Sequence, residues 1–268
     1  MRIARFSLDD LPTYGAVEIA SDLGHHPDTI AVLAGDPLRQ PLTYTGERIG
    51  LKDVKMLAPV VPATKVVCIG HNYADHVSEM GVRTVPSEPI VFFKPVTSVI
   101  GAGEAVVRPR ETRMLSYEGE LAIVFSRTCR RVKPENAATV VFGYTVANDI
   151  TCRDLQTTDG QWDRSKGFDT FCPLGPWIVT DLSPAQVGDL HLRTTVNGTV
   201  RQDASTKLML HDVAHLIAHV TAFTTMYPGD VLLTGTPAGI GEILPSDSVS
   251  VEIEGIGTLT NPIMDEMF

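Results

Sequence analysis

Two glutamates, Glu118 and Glu120, open the apolar run Leu121 to Phe125 and stand two positions apart. The run is short, branched and apolar, as a buried β-strand is. Side chains alternate along a strand, so both carboxylates face the same side. Like charges side by side repel and are costly to bury, and a divalent cation with a preference for oxygen is the simplest partner. The alternative, common for an isolated E-x-E, is a solvated pair on an exposed strand end. Asp149 closes another apolar run, Val140 to Val146, and offers either a third carboxylate or a plain Asn-Asp turn.

His76 and Glu79 lie three apart in a short segment that reads as helical from Tyr73. On one helix face they can hydrogen-bond, and a glutamate that orients an imidazole makes it a general base. A surface His–Glu pair is the competing reading. Gly81 to Pro89 reads as a loop that can act as a lid. Lys94 ends the run Ile90 to Phe93, as a site cation or as a solvating group. Residues 163–169, with Lys166 and Gly167, read as a charged loop of the kind that carries ligands on a rigid scaffold. After the run Val231 to Leu233 comes a loop with Gly235, Thr236, Gly239 and Gly241. Its glycines allow close backbone approach to a small anion, and Thr236 adds a hydroxyl. It matches neither phosphate-binding glycine motif, so no nucleotide is expected. His211, His215 and His219 recur every four residues, but Val213, Leu216, Ile217 and Val220 form an apolar stripe that makes the segment an amphipathic packing helix.

The elements that must position these groups are mostly strands. Asn197-Gly198 between two β-rich arms predicts a type I′ hairpin. Thr151 to Gln156 reads as one helical turn. Residues 1–62 form a small N-terminal unit, rich in turn residues and without a polar cluster. A Pro-punctuated connector, Ala58 to Pro62, separates it from residues 63–268.

Composition narrows the function. With 268 residues, 43% hydrophobic and 20% charged, the chain is globular in type. A net charge of −10 argues against nucleic-acid binding, although a pocket can be locally positive for an anionic substrate. No window approaches the ~18 apolar residues of a membrane span, and no signal sequence is evident. Cys68, Cys129, Cys152 and Cys172 are widely spaced, which suits reduced thiols in a cytoplasmic protein.

Five stretches, in this order, resemble the fumarylacetoacetate hydrolase family: 70–79 (GHNYADHVSE), 117–121 (YEGEL), 148–156 (NDITCRDLQ), 165–169 (SKGFD) and 233–241 (LTGTPAGIG). The resemblance runs from about residue 63 to the end, and the first 60 residues look like the small N-terminal domain of some members. It implies an α+β, mainly β fold, a mixed β-roll or distorted barrel with short flanking helices, as a homodimer. It places Glu118, Glu120 and Asp149 on the family's metal carboxylates, for Mg²⁺ and in some members Mn²⁺ or Ca²⁺. His76 and Glu79 fall on the catalytic pair. Lys166, Gln156 and Thr236, with its neighbour Gly235, fall on substrate-contacting positions, with Arg153 in support. Many members carry Arg where this chain has His71. The implied reaction is cleavage of a C–C bond in a small anionic 2-oxo or 2,4-dioxo acid, by hydrolysis or decarboxylation, through a metal-stabilised pyruvate enolate. The alternatives are a double-bond isomerase of a 2-hydroxydienoic diacid and a Ca²⁺-stabilised binding protein. The lid and the Trp162 region are expected to set the substrate's distal group.

Overall fold

The computed structural model describes residues 1–20, 27–81, 84 and 86–267. In chain order the strands are Arg2–Leu8 (β1), Leu11–Glu18 (β2), Thr29–Leu33 (β3), Tyr44–Gly50 (β4), Lys55–Leu57 (β5), Val66–Gly70 (β6), Ile90–Lys94 (β7), Val99–Ile100 (β8), Val106–Arg108 (β9) and Leu115–Tyr117 (β10). They continue as Gly119–Phe125 (β11), Val141–Asn148 (β12), Thr151–Cys152 (β13), Cys172–Val179 (β14), His191–Val196 (β15), Thr199–Ser205 (β16), Val231–Leu233 (β17), Gly241–Glu242 (β18), Ser248–Ile253 (β19) and Gly257–Asp265 (β20). The helices are short: Ala74–Glu79 (α1), Arg153–Asp159 (α2), Asp163–Gly167 (α3), Pro184–Val187 (α4) and Val213–Phe223 (α5). None of the described helices is long and apolar enough to cross a membrane.

The fold is mainly β, as expected, and the long sheet does not close into a barrel. It runs β4-β3-β2-β1-β14-β12-β11-β17-β6-β7. Beside it lie a five-stranded sheet, β16-β15-β19-β20-β9, and a small one, β13-β10-β18. β11 is buried along its whole length because β12 and β17 flank it and both faces are covered. That accounts for its unbroken apolar sequence where a half-exposed strand would alternate. Its residues divide between two cores: Leu121, Ile123 and Phe125 pack with Leu216, Ile217 and Val220 of α5, whereas Ala122 and Val124 pack with Val66, Cys68 and Leu233. His211, just ahead of α5, stacks on His215 within it at 4.8 Å, and the three histidines belong to no converging ligand set among the described residues. The hairpin forms as expected, with positive φ at both Asn197 (51°) and Gly198 (78°).

Two readings from sequence are sharpened. The N-terminal segment has its own small core around Phe6, Val17 and Ile30, yet β1 continues the long sheet by pairing Ile3 with Ile178 of β14. Residues 163–169 are not an open loop, since most of them form α3. One turn is too short to show periodicity in sequence, and it is closed locally by Lys166 N–H donating to Trp162 O at 3.0 Å and Ser165 Oγ to the same carbonyl at 2.9 Å. Of the expected lid, positions 82, 83 and 85 lie outside the described residues.

The chain just after the connector is fastened at Asp230, which is fully buried and accepts from Thr64 N, Lys65 N, Tyr227 N and Lys65 Nζ at 2.8–3.1 Å. Burial opposes its ionisation, but Lys65 and the amide donors outweigh that and hold the carboxyl below its usual range. The lowered folded-state value means this contribution is present above the unfolded carboxylate pKa and lost as pH falls through the folded one. Asp230→Ala should therefore lower stability by about 3 kcal/mol at neutral pH, and by much less near pH 2, in urea melts at both pH values.

Candidate metal centre and active site

The site is built at the start of β11. Glu118 sits in the break between β10 and β11, with its N–H on Asn148 Oδ1 at 3.0 Å. Its carbonyl accepts the Asp149 N–H at 2.8 Å, so one backbone exchange sets the third acid beside the first. Gly119 between the two glutamates has no room for a side chain, because a Cβ would meet Thr194 Oγ1 at 2.3 Å. Glu118, Glu120 and Asp149 are buried, and each offers an oxygen within 4.8 Å of the others.

Three cations face these acids. Lys166 Nζ donates to Asp149 Oδ2 at 2.7 Å, Glu118 Oε2 at 3.0 Å and Thr151 Oγ1 at 2.9 Å. Arg153 Nη2 lies 2.6 Å from Glu118 Oε1. Lys94, which sequence left open between two roles, is a site cation: its side chain is buried, with Nζ 2.7 Å from Asp149 Oδ1 and further bonds to the carbonyls of Ile150, Phe171 and Lys166.

Glu120 has no such partner among the described residues; its Oε2 accepts the Gly235 N–H at 2.7 Å. The consequences for ionisation diverge. Burial opposes the charge on Glu118, yet Lys166 and Arg153 override it and hold that carboxyl well below the usual range. Burial also pushes Glu120 up, and the charges of Asp149 and Glu118 push it further. An all-oxygen set, with one buried carboxylate in no direct ion pair among the described residues, fits a hard divalent cation such as Mg²⁺ or Mn²⁺, and does not fit zinc.

Four of the remaining candidates, His76, Arg153, Gln156 and Thr236, line one small cavity with Glu118 and Lys166, together with His71, Met80 and Trp162. His76 Nδ1 lies 3.2 Å from Glu79 Oε2, which leaves the other ring nitrogen for chemistry. Glu79 Oε1 accepts the Gly239 N–H at 3.0 Å. Gln156 Oε1 accepts from Arg153 Nη1 at 3.0 Å, so its amide nitrogen is the end that can meet a ligand. Thr236 also takes a structural part, donating to Gly119 O at 3.0 Å and accepting from Gln202 Nε2 at 2.7 Å. Gly235, at φ +94°, brings its N–H to Glu120 where a Cβ would meet Asn72 Cβ at 2.8 Å.

Sequence reasoning missed Gln202. It is buried on β16 and also accepts the Gly119 N–H at 3.0 Å, tying the hairpin to the acidic strand. Its only sequence signal was its position on the hairpin's inner face. A wider, more apolar groove under α5, lined by Tyr144, Val187, Met209 and Ile217, holds none of these groups.

A mainly β chain with a buried carboxylate triad able to hold a metal ion, beside a cavity lined by Glu118, Lys166 and His76, has the layout of an enzyme site. Residues 65–264 match the fumarylacetoacetate hydrolase C-terminal pattern, and residues 1–59 match the Rv2993c-like N-terminal pattern. The chain belongs to the fumarylacetoacetate hydrolase family. Among its relatives, a mitochondrial oxaloacetate tautomerase of Rattus norvegicus is 41% identical over 219 residues, 79% of this chain and 70% of that one. The structure of a 5-carboxymethyl-2-hydroxymuconate delta-isomerase from Mycobacterium smegmatis superposes with a TM-score of 0.89 at 44% identity, over 99% of this chain and 100% of that one. A maleylpyruvate hydrolase from Sphingobium sp. SYK-6, in complex with manganese(II) and pyruvate, gives 0.80 at 29% identity over 100% of both chains.

Because Glu120 must lose its proton to ligate a cation, Mn²⁺ binding should release a proton and tighten as pH rises from the acid side. Titration calorimetry in two buffers of different ionisation enthalpy measures the release. Glu120→Gln should weaken Mn²⁺ binding at least tenfold and abolish the proton release.

Proposed function

We propose that this chain is a divalent-metal-dependent enzyme that cleaves a carbon–carbon bond of a small 2-oxo acid through an enolate. The carrying observation is Lys166 Nζ, bonded to both Glu118 and Asp149, in the same cavity as His76. Glu118, Glu120 and Asp149 would hold Mg²⁺ or Mn²⁺, which when bound supplies Lewis-acid polarisation of the 2-oxo carbonyl. The similarity to the manganese- and pyruvate-bound maleylpyruvate hydrolase supports this reading.

The chain's own groups then have distinct tasks. The Lys166 ammonium places fixed positive charge where negative charge develops on the substrate oxygen. In hydrolysis, the free nitrogen of His76 takes a proton from water, and the resulting hydroxide adds to the distal carbonyl carbon. The bond to the adjacent carbon breaks, its electron pair becomes the enolate, and protonated His76 returns a proton to that carbon. In decarboxylation, carbon dioxide leaves and the electron pair is held the same way. Glu79 offsets the imidazolium charge in the first case.

A second reading is favoured by the likeness to the oxaloacetate tautomerase and the delta-isomerase. In it His76 removes a proton from the carbon beside the 2-oxo group and a proton returns elsewhere, with no carbon–carbon bond broken and no water used. Oxaloacetate, acetylpyruvate and fumarylpyruvate assayed with Mg²⁺ and Mn²⁺ separate the two. Pyruvate release supports cleavage, and faster loss of the enol absorbance without pyruvate supports tautomerisation. Neither change in metal-loaded protein would sink both. His76→Ala should lower turnover by roughly 10²–10⁴-fold while Mn²⁺ affinity stays within a factor of two or so.

A further inference from the structure

His71 is a polar residue of the cavity to which the proposed reaction gives no task. It follows β6 directly and holds φ at +59°. That left-handed conformation is uncommon for a residue with a side chain, and His is among the types that tolerate it best. Such conformations persist where the surroundings impose them, often at ligand sites. Its ring is wedged edge-on between Trp162 at 5.5 Å and His76 at 6.1 Å. Trp162 can lean there because Gly70 has no side chain; a Cβ would meet its ring at 2.4 Å. The ring is thus fixed in place, yet its Nδ1 is buried and has no hydrogen-bond partner among the described residues. A buried polar atom without a partner calls for one, and here the cavity is where a partner can come from.

The polar groups near it suit an anion. Gln156 has its amide nitrogen available, and Arg153, which bonds Gln156, has a buried Nε without a hydrogen-bond partner. Trp162 and Met80 supply apolar bulk in the same small cavity and limit chain length. We propose that His71 reads the distal end of the substrate, its Nδ1–H donating to a carboxylate remote from the 2-oxo acid group, so that the site selects short 2-oxo diacids over acids with an apolar end. This rests on the proposed function only in taking the acidic triad as the 2-oxo acid end.

The test uses unreactive ligands, so that binding is read without turnover. Calorimetry of the Mg²⁺-loaded protein compares oxalate, which has no distal group, with malate and lactate, which differ by the distal carboxylate. The wild-type chain should bind malate about tenfold or more tightly than lactate, as expected for a charge-assisted hydrogen bond. His71→Leu and His71→Gly should lose that preference with oxalate binding unchanged. Glycine accepts the left-handed backbone, so it stands in if the leucine variant fails to fold. Overturning results are a preference kept in His71→Gly, oxalate binding that falls in step with malate binding, or a wild-type chain that binds oxalate without distinguishing malate from lactate. A wild-type chain that binds no oxalate instead overturns the assignment of the acidic triad, and this proposal with it.

Discussion

Three carboxylates held within 4.8 Å of one another in the interior are the constraint on which the rest depends. At an effective dielectric near 20, each like-charge pair at that spacing costs on the order of 3 kcal/mol. Two such pairs involve Glu120, and together they rival the roughly 5–15 kcal/mol that holds a whole domain folded. Lys94, Lys166 and Arg153 make direct ion pairs with Glu118 and Asp149, whereas Glu120 feels the Lys166 charge only from a distance. Glu120 is left to hold a proton or to meet a cation. The same arrangement therefore costs stability without a ligand and creates affinity for one.

Much of the architecture serves to keep that arrangement from relaxing. The register of β11 against β12 sets Gly119 opposite Asn148, and the side chain of Asn148 then fixes the Glu118 amide. β17 runs alongside, and the loop after it sends Thr234 to Leu121 O and Gly235 to Glu120. Gln202 arrives from a separate sheet and bonds both Gly119 and Thr236. An acid able to swing toward solvent would escape its neighbours, but 5% exposure for Glu118 and 1% for Glu120 leave no such route.

What could be read from the sequence, and what could not, divides along the length of the interactions. The E-x-E spacing, the apolar run behind it and the Asn-Gly turn are local patterns with local causes, and they anticipated the acidic strand and the hairpin. The shape of the single turn α3 could not be read, because one turn leaves no periodic trace. Lys94 was ambiguous for a different reason. A lysine ending an apolar run looks the same whether it reaches water or Asp149, and only the packing of Ile150, Lys166 and Phe171 around it decides. Gln202 contributes through a partner 83 positions away. The joining of β1 to β14 is equally remote in sequence, which is why the N-terminal segment read as more separate than its sheet is.

The His76–Glu79 pair and the acids are coupled by a tether that neither motif reveals alone. Glu79, which orients His76, is held by the Gly239 amide, and the carbonyl of the same residue accepts the Tyr117 hydroxyl at 2.7 Å. Tyr117 precedes Glu118 directly. Burial pushes its phenol up to about 12, so the group stays protonated and remains a donor at neutral pH. Gly239 sits at φ +101° with Arg201 O where a Cβ would be, at 2.1 Å, so no other residue fits without moving the strand beneath it. One glycine thus fixes the distance between the helix that carries the dyad and the strand that carries the acids. The two halves of the site share a frame because Tyr117 and Glu79 meet at the same residue, Gly239.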